Sequence, residues 1–392
     1  MKSKSVYFDH NSTTKVDKKV YTEMYPYFRQ KYGNASCAHN MGMISEVALQ
    51  KARLQIANLL NSENPERIYF TSGATESNNL VLKGILIPKL TTGRFIHVIT
   101  SIIEHPSILN CLRELKKYFS NLDITYINVD TNGILDLNQF KTSISMDTSL
   151  VTIMTVNNET GSIQPIYEIS SICKESSIPF HTDATQYFGK DNAKFISDGT
   201  IDLISLSSHK IYGPKGIGAL YLNTPLDFFK LISGGGQENN IRSGTENIPG
   251  IVGFGKAAEL IKSFDNEYYN ALKYKRDFLK NKIRNICQQN KIEIIFNTYE
   301  QSIVNTLNFS IPKSLNKNIT SVEFFNKHKI FLTAGSACSS GKPVPSYVLK
   351  AMGRNDQEAS SSIRISLGKY NTFDHVDYFI DIFRKYINYL NL

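Results

Sequence analysis

Seven short apolar runs lie between residues 67 and 222, and helical patterns separate several of them. They are RIYFTS (67–72), FIHVITS (95–101), ITYINV (124–129), LVTIMTVN (150–157), IPFHTDA (178–184), DLISLSS (202–208) and GALYL (218–222). Most are continuous apolar stretches rich in β-branched residues. A strand needs that pattern when both of its faces are covered, as in parallel sheets whose crossovers are helices. SEVALQKARLQIANLL (45–60), SILNCLRELKKYF (107–119) and IYEISSICKES (166–176) carry the helical apolar spacing expected of such covering elements. The reading is an α/β domain with a mostly parallel sheet.

From about residue 250 the pattern turns strongly helical. Strand-like IEIIF (292–296) and VNTLNFS (304–310) follow, then a helix near SVEFFNKH, the run IFLTAG and two further helices to the end. This predicts a smaller α+β C-terminal domain. The expected division is 14–260 for the large domain and 261–392, joined by 1–13, for the small one. A length of 392 residues suits two or three domains at roughly 100–200 residues each.

Composition narrows the class. Hydrophobic residues make up 41% and charged residues 20%, which excludes global disorder. No apolar window is long enough for a membrane-crossing helix. MKSKSVYFDHNSTT has no apolar h-region, so no secretory leader is expected. The cysteines at 37, 111, 173, 287 and 338 are odd in number, widely spaced and without a CxxC pair. They predict neither a disulfide framework nor a metal site, and reduced thiols fit a cytoplasmic location. The net charge of +9 is spread along the chain without a run of five basic residues. It reads as a solvated surface, with an acidic partner as the alternative, and no direct nucleic-acid binding is expected.

Ligands of open parallel sheets bind beyond the carboxyl ends of the strands. Five such ends carry polar clusters: TSGATESNN (71–79), SIIEHPS (101–107), VNNETG (156–161), HTDATQ (181–186) and SLSSHKIYGPKG (205–216). The first turns through Ser72-Gly73-Ala74-Thr75 into a helix expected from about Glu76. Free N–H groups there would suit a phosphate, and an ordinary N-cap by Thr75 would read the same way. Asp183 ends a buried-looking strand, where a carboxylate needs a cationic partner such as a protonated pyridine nitrogen; a turn-capping aspartate is the alternative. Lys210 follows another buried strand, where desolvation would make its amine nucleophilic; a solvated loop lysine is the alternative. Phosphate turn, acid and amine are together the three parts that pyridoxal 5'-phosphate (PLP) requires.

On these residues the chain resembles the class V aminotransferases, PLP-dependent transferases of fold type I, and within them the cysteine desulfurases of the NifS/IscS type. The matching stretches run in order along nearly the whole chain: FDHNSTT (8–14), YGNAS (32–36), FTSGATESNNL (70–80), EHPS (104–107), VNNETG (156–161), HTDATQ (181–186), SSHKIYGPKGIGALY (207–221), GGGQE and RSGTEN (234–247), GSACSSG (335–341), PSYVLKAMG (345–353) and SSIRISLG (361–368). The resemblance implies that Lys210 carries PLP, that Asp183 pairs with its pyridine nitrogen, and that Asn158 and Gln186 bond its phenolic oxygen. His105 would stack on the ring. Ala74, Thr75, Ser207, Ser208 and His209 would bind the phosphate. Thr245 would reach the phosphate of the neighbouring subunit, which implies a homodimer. Arg364 would clamp the carboxylate of L-cysteine. Cys338, in a segment of small residues, would take the substrate sulfur as a persulfide and pass it to an acceptor protein, a scaffold or sulfurtransferase. The destinations implied are iron–sulfur cluster assembly, tRNA thiolation or DNA phosphorothioation. A selenocysteine lyase or cysteine sulfinate desulfinase of the same fold is the alternative activity.

Two departures stand out. Ala35 replaces the proline common in the GNP turn, and Ser208 replaces the glycine common before His-Lys. The Gly-Ser-Ala-Cys-Ser-Ser stretch resembles the group with a longer, mobile catalytic loop, expected over about 338–343.

Overall fold

The computed structural model describes residues 5–191, 200–223, 228–334, 336–337 and 343–392. Each of the seven apolar runs overlaps a strand of one sheet: β1 (Ile68–Thr71), β2 (Ile96–Ser101), β3 (Leu122–Ile127), β4 (Thr148–Thr152), β5 (Phe180–Asp183), β6 (Leu203–Ser207) and β7 (Gly218–Leu222). Their order is β1-β7-β6-β5-β4-β2-β3. The pairings from β6 across to β3 are parallel, whereas β7 is antiparallel to both β6 and β1. The connection from β6 to β7 spans only residues 208–217 and holds one short turn of helix, too little for a crossover, so the chain reverses.

Helices cover the sheet: α1 (Asn40–Leu60), α2 (Ala74–Leu90), α3 (Pro106–Tyr118), α4 (Ile166–Glu175) and α5 (Ile248–Lys262). Their apolar stripes account for the covering. α1 buries Leu49, Ala52, Ile56 and Leu60, while α2 and α3 bury Leu80, Leu86, Ile108 and Leu112 against the strands. α3 starts where Pro106 takes the first helical position and the His105 ring accepts from the Ser107 N–H.

A second sheet is wholly antiparallel: β8 (Ile295–Phe296), β9 (Thr306–Ser310), β10 (Thr333–Ala334) and β11 (Ser362–Ser366), in the order β10-β11-β9-β8. Helices α6 (Asn266–Gln289) and α7 (Phe373–Asn391) pack on it. The core changes between α5 and α6: Ile251, Phe254 and Ile261 pack with the seven-stranded sheet, and Leu272, Leu279 and Ile283 pack with the second. Val6 and Phe8 also lie in the second core, and Val6–Tyr7 pairs in parallel with Ile330–Phe331. β11 corrects the expectation of only helices after IFLTAG. Ser362, Arg364 and Ser366 alternate with Ile363 and Ile365, a period-two signal that the family motif SSIRISLG had obscured.

The carboxyl ends of β2, β4, β5 and β6 lie at one edge of the large sheet, and β11 brings Arg364 to the same place. Among the described residues, no helix is long and apolar enough to cross a membrane, and no group of three or more His, Cys, Asp or Glu could hold a metal.

Candidate active site

A cavity of about 600 Å³ opens at that edge. It brings together Ala74, Thr75, His105, Asn158, Asp183, Gln186, Ser207, His209, Lys210 and Arg364, residues drawn from both sheets. The cavity was reached from five separate strand ends because in a parallel sheet those ends share one edge.

At one end is the start of α2. Gly73 precedes it with φ +157°, and the helix begins at Ala74, two residues earlier than the spacing had suggested. A Cβ on Gly218 would lie 2.6 Å from the Gly73 Cα, so the strand and the turn meet only because residue 218 is a glycine. The first N–H groups of α2 therefore face the cavity mouth with the positive end of the helix dipole. Burial would raise the Glu76 carboxyl, but Arg242 at 2.8 Å and the Ser72 N–H outweigh it and hold its pKa below the usual range.

Asp183 is buried and well held. Its Oδ2 accepts from Asn78 Nδ2 at 2.8 Å, and its Oδ1 accepts from the Thr185 N–H at 3.0 Å. Asn78 also donates to Ser107 Oγ at 2.8 Å, and that hydroxyl meets His105 Nδ1 at 2.8 Å. The ring of His105 is thus tied to the acid through two neutral side chains.

Lys210 follows β6 through the short helical turn Ser208–Lys210. Its Nζ donates to the carbonyls of Asn11 and Ser12, both at 2.7 Å. Burial, then the positive Arg364, lowers its pKa to about 8, against the pull of Asp183 and Asp9. A sizeable share of the amine is therefore neutral near physiological pH.

Arg364 donates through Nη2 to Asp9 Oδ1 and Ser12 Oγ, both at 2.7 Å, and through Nη1 to the Asn158 carbonyl at 2.9 Å. Its buried Nε has no partner among the described residues. Gln186 donates to the Asn11 carbonyl at 2.9 Å.

Two expected residues lie elsewhere. Ser208 does not line the cavity. Its buried hydroxyl is without a partner among the described residues and points to Gly213, where a Cβ would approach it to 2.0 Å. The hydroxyl of the residue that replaces the common glycine is thus turned into the packing. Thr245 lines a separate cavity of about 110 Å³ that shares Ser72, Gly216 and Ile217 with the first. Cys338, with residues 339–342 of the loop expected over 338–343, lies outside the described residues. Burial pushes the Cys111, Cys173 and Cys287 thiols up to about 12, so these three are poor nucleophiles.

Asp9, Asn11, Ser12, Asn78 and Ser107 had been assigned no role. All but Asn78 and Asp9 line the cavity directly. The small polar residues of FDHNSTT, SGATESNN and EHPS are the sequence signal for them.

The residues present fit PLP. A buried carboxylate, a half-buried amine, the open end of a helix and the cations Arg364 and Lys215 surround one cavity. The buried Thr185 Oγ1 on its wall is also without a partner among the described residues. Fold and cavity define a PLP-dependent enzyme of fold type I. The class-V aminotransferase family profile matches residues 6–379. The mitosomal cysteine desulfurase of Encephalitozoon cuniculi is 41% identical over 95% of this chain and 84% of its own. The cysteine desulfurase IscS of Dictyoglomus turgidum is 39% identical over 99% of this chain and 95% of its own. A solved NifS-like protein superposes with a TM-score of 0.87 at 35% identity, over 98% of this chain and all of that one. The chain belongs to the class-V aminotransferase family and, within it, to the cysteine desulfurases of the NifS/IscS type.

Proposed function

We propose that the protein converts L-cysteine to L-alanine with PLP, takes the sulfur on Cys338 as a persulfide and passes it to an acceptor protein. The observation that carries this reading is the meeting of Lys210, Asp183 and Arg364 in one cavity, in a chain related to named cysteine desulfurases. When bound, PLP supplies an electron sink for bond changes at Cα and Cβ of the substrate.

This chain's residues do the rest. Asp183 holds the pyridine nitrogen protonated. The start of α2, with Ser207 and His209, receives the phosphate. Arg364, on the cavity wall, binds the substrate carboxylate. The neutral fraction of Lys210 takes the Cα proton and returns it. His105 covers the ring. The Cys338 thiolate attacks the substrate sulfur. A new S–S bond forms as the Cβ–S bond breaks, its electron pair stays with the carbon fragment, and a proton completes alanine. The net change is L-cysteine plus the Cys338 thiol giving L-alanine plus the Cys338 persulfide.

The working form in this reading is a homodimer. Tyr21, Phe28, Tyr32, Met43 and Val47 are 56–71% exposed within one short stretch of chain, which supports a second copy covering them. Thr245, in its cavity beside the main one, would serve the partner's phosphate. The experiment is to give purified protein L-cysteine and measure alanine together with Cys338 persulfide; equal amounts of each in a single turnover are expected, and alanine without persulfide would contradict the proposal.

A further inference from the structure

Lys190 lies behind the cavity wall in the turn after β5 and is 8% exposed. Among the described residues its hydrogen-bond partners are two amide oxygens. Its Nζ donates to Gln186 Oε1 at 2.5 Å and to Asn11 Oδ1 at 3.1 Å. The charged and titratable groups that face it are Lys210, Arg364, His10 and His209. Burial, with Lys210 and Arg364 beside it, drives its pKa well below the ordinary lysine value. Each of the two acceptors takes one N–H of the amine. Lys190 thus sits as a two-pronged donor, not as half of an ion pair.

The consequence falls on Gln186. An amide has one accepting end and one donating end, and only its surroundings decide which way each faces. Lys190 engages Oε1. One Nε2 hydrogen goes to the Asn11 carbonyl, and the other is left for the cavity that Gln186 lines. The same lysine engages Asn11 Oδ1, which also accepts from Asn305 Nδ2 at 3.1 Å. The Asn11 carbonyl in turn receives Lys210 Nζ.

We propose that Lys190 is a positioning residue that fixes the Gln186 amide with an N–H toward the cavity, so that the phenolic oxygen of PLP meets a donor and not a lone pair. The proposal rests on the assignment of Gln186 to that oxygen. A donor there stabilises negative charge on the oxygen and lowers the proton affinity of the adjacent nitrogen that joins PLP to Lys210. A reversed amide does the opposite.

The test is a pH titration of the visible absorbance band of the holoenzyme, for wild type, Lys190→Met, Gln186→Leu and the double variant. The midpoint is expected to rise by roughly 0.5–1 pH unit in Lys190→Met, the size of one hydrogen bond. The rise in the double variant should match that in Gln186→Leu, because Lys190 acts through Gln186. Lys190→Gln keeps an N–H donor and should fall between wild type and Gln186→Leu; it gives the readout where Lys190→Met does not fold. A midpoint unmoved in the Lys190 variants while Gln186→Leu shifts overturns the positioning role. Shifts that add in the double variant overturn it as well. If Gln186→Leu itself leaves the band unmoved, the Gln186 assignment falls and the proposal with it. A wild-type protein that shows no visible band with PLP overturns the cofactor reading instead.

Discussion

Buried Arg364 and half-buried Asp9 form an ion pair, with Nη2 and Oδ1 2.7 Å apart, beside the cavity where a substrate carboxylate is to be held. The two residues are 355 positions apart in sequence. The pair sets the plane of the guanidinium, and Ser12 Oγ and the Asn158 carbonyl complete its cage. A planar fork held in this way is suited to a carboxylate in a way that a lysine is not.

Arg364→Lys is therefore expected to lower kcat/KM for L-cysteine by roughly 10–100-fold, the loss of a charge-assisted paired contact, and mainly through KM. Steady-state alanine formation measures it. A change of less than about threefold would place the carboxylate elsewhere.

The amine of Lys210 must be neutral to accept a proton. With its pKa lowered to about 8, activity should rise with pH through a midpoint near that value and fall about tenfold per unit below it. Asp9 pulls this pKa upward. Asp9→Asn is therefore expected to move the midpoint toward acid, and a shift toward base would contradict the assignment. Single-turnover rates across pH 6–10 check both.

Asn78 binds Asp183 at one hydrogen and Ser107 at the other. Asn78→Leu strips both contacts and leaves the Asp183 Oδ2 short of a donor. PLP affinity should drop about tenfold, the cost of one lost bond to a buried charge. Equilibrium titration of apoprotein with PLP measures it, and an unchanged dissociation constant would mean that Asp183 is held by other means.

Glu104, next to His105, is fully buried. Burial raises its pKa from 4.5 to about 8, with Asp183 adding to the rise and the Met154 N–H and Ser101 hydroxyl opposing it. The unfolded chain loses this proton near 4.5 and the folded chain near 8. Between those values the native state binds more protons, so stability falls as pH rises and the loss is complete above about 8. Glu104→Gln should remove that slope and stabilise the protein at pH 8 by on the order of 3 kcal/mol. Thermal unfolding at pH 5 and pH 8 decides; equal destabilisation at both would show a packing effect instead.

The seven strands were legible because burial on both faces writes an uninterrupted apolar run, and the polar residues at their ends stood out against it. Lys210 and Asp183 could be picked for the same reason: a charged group beside a buried strand needs a chemical reason. Other features depend on where distant segments meet. Nothing in FDHNSTT tells that Asp9 pairs with Arg364, or that the Asn11 and Ser12 carbonyls receive Lys210. The inward turn of the Ser208 hydroxyl follows from its packing against Gly213. Lys190 reads in sequence as one more basic residue after a turn, and only its burial among amide oxygens sets it apart.

The central claim is that sulfur leaves cysteine by way of Cys338. The most direct measurement is mass spectrometry of the holoenzyme after one equivalent of L-cysteine, with alanine counted in the same sample. The account predicts one added sulfur on Cys338 for each alanine, and loss of both in Cys338→Ala. Alanine and sulfide formed by Cys338→Ala at the wild-type rate would contradict it.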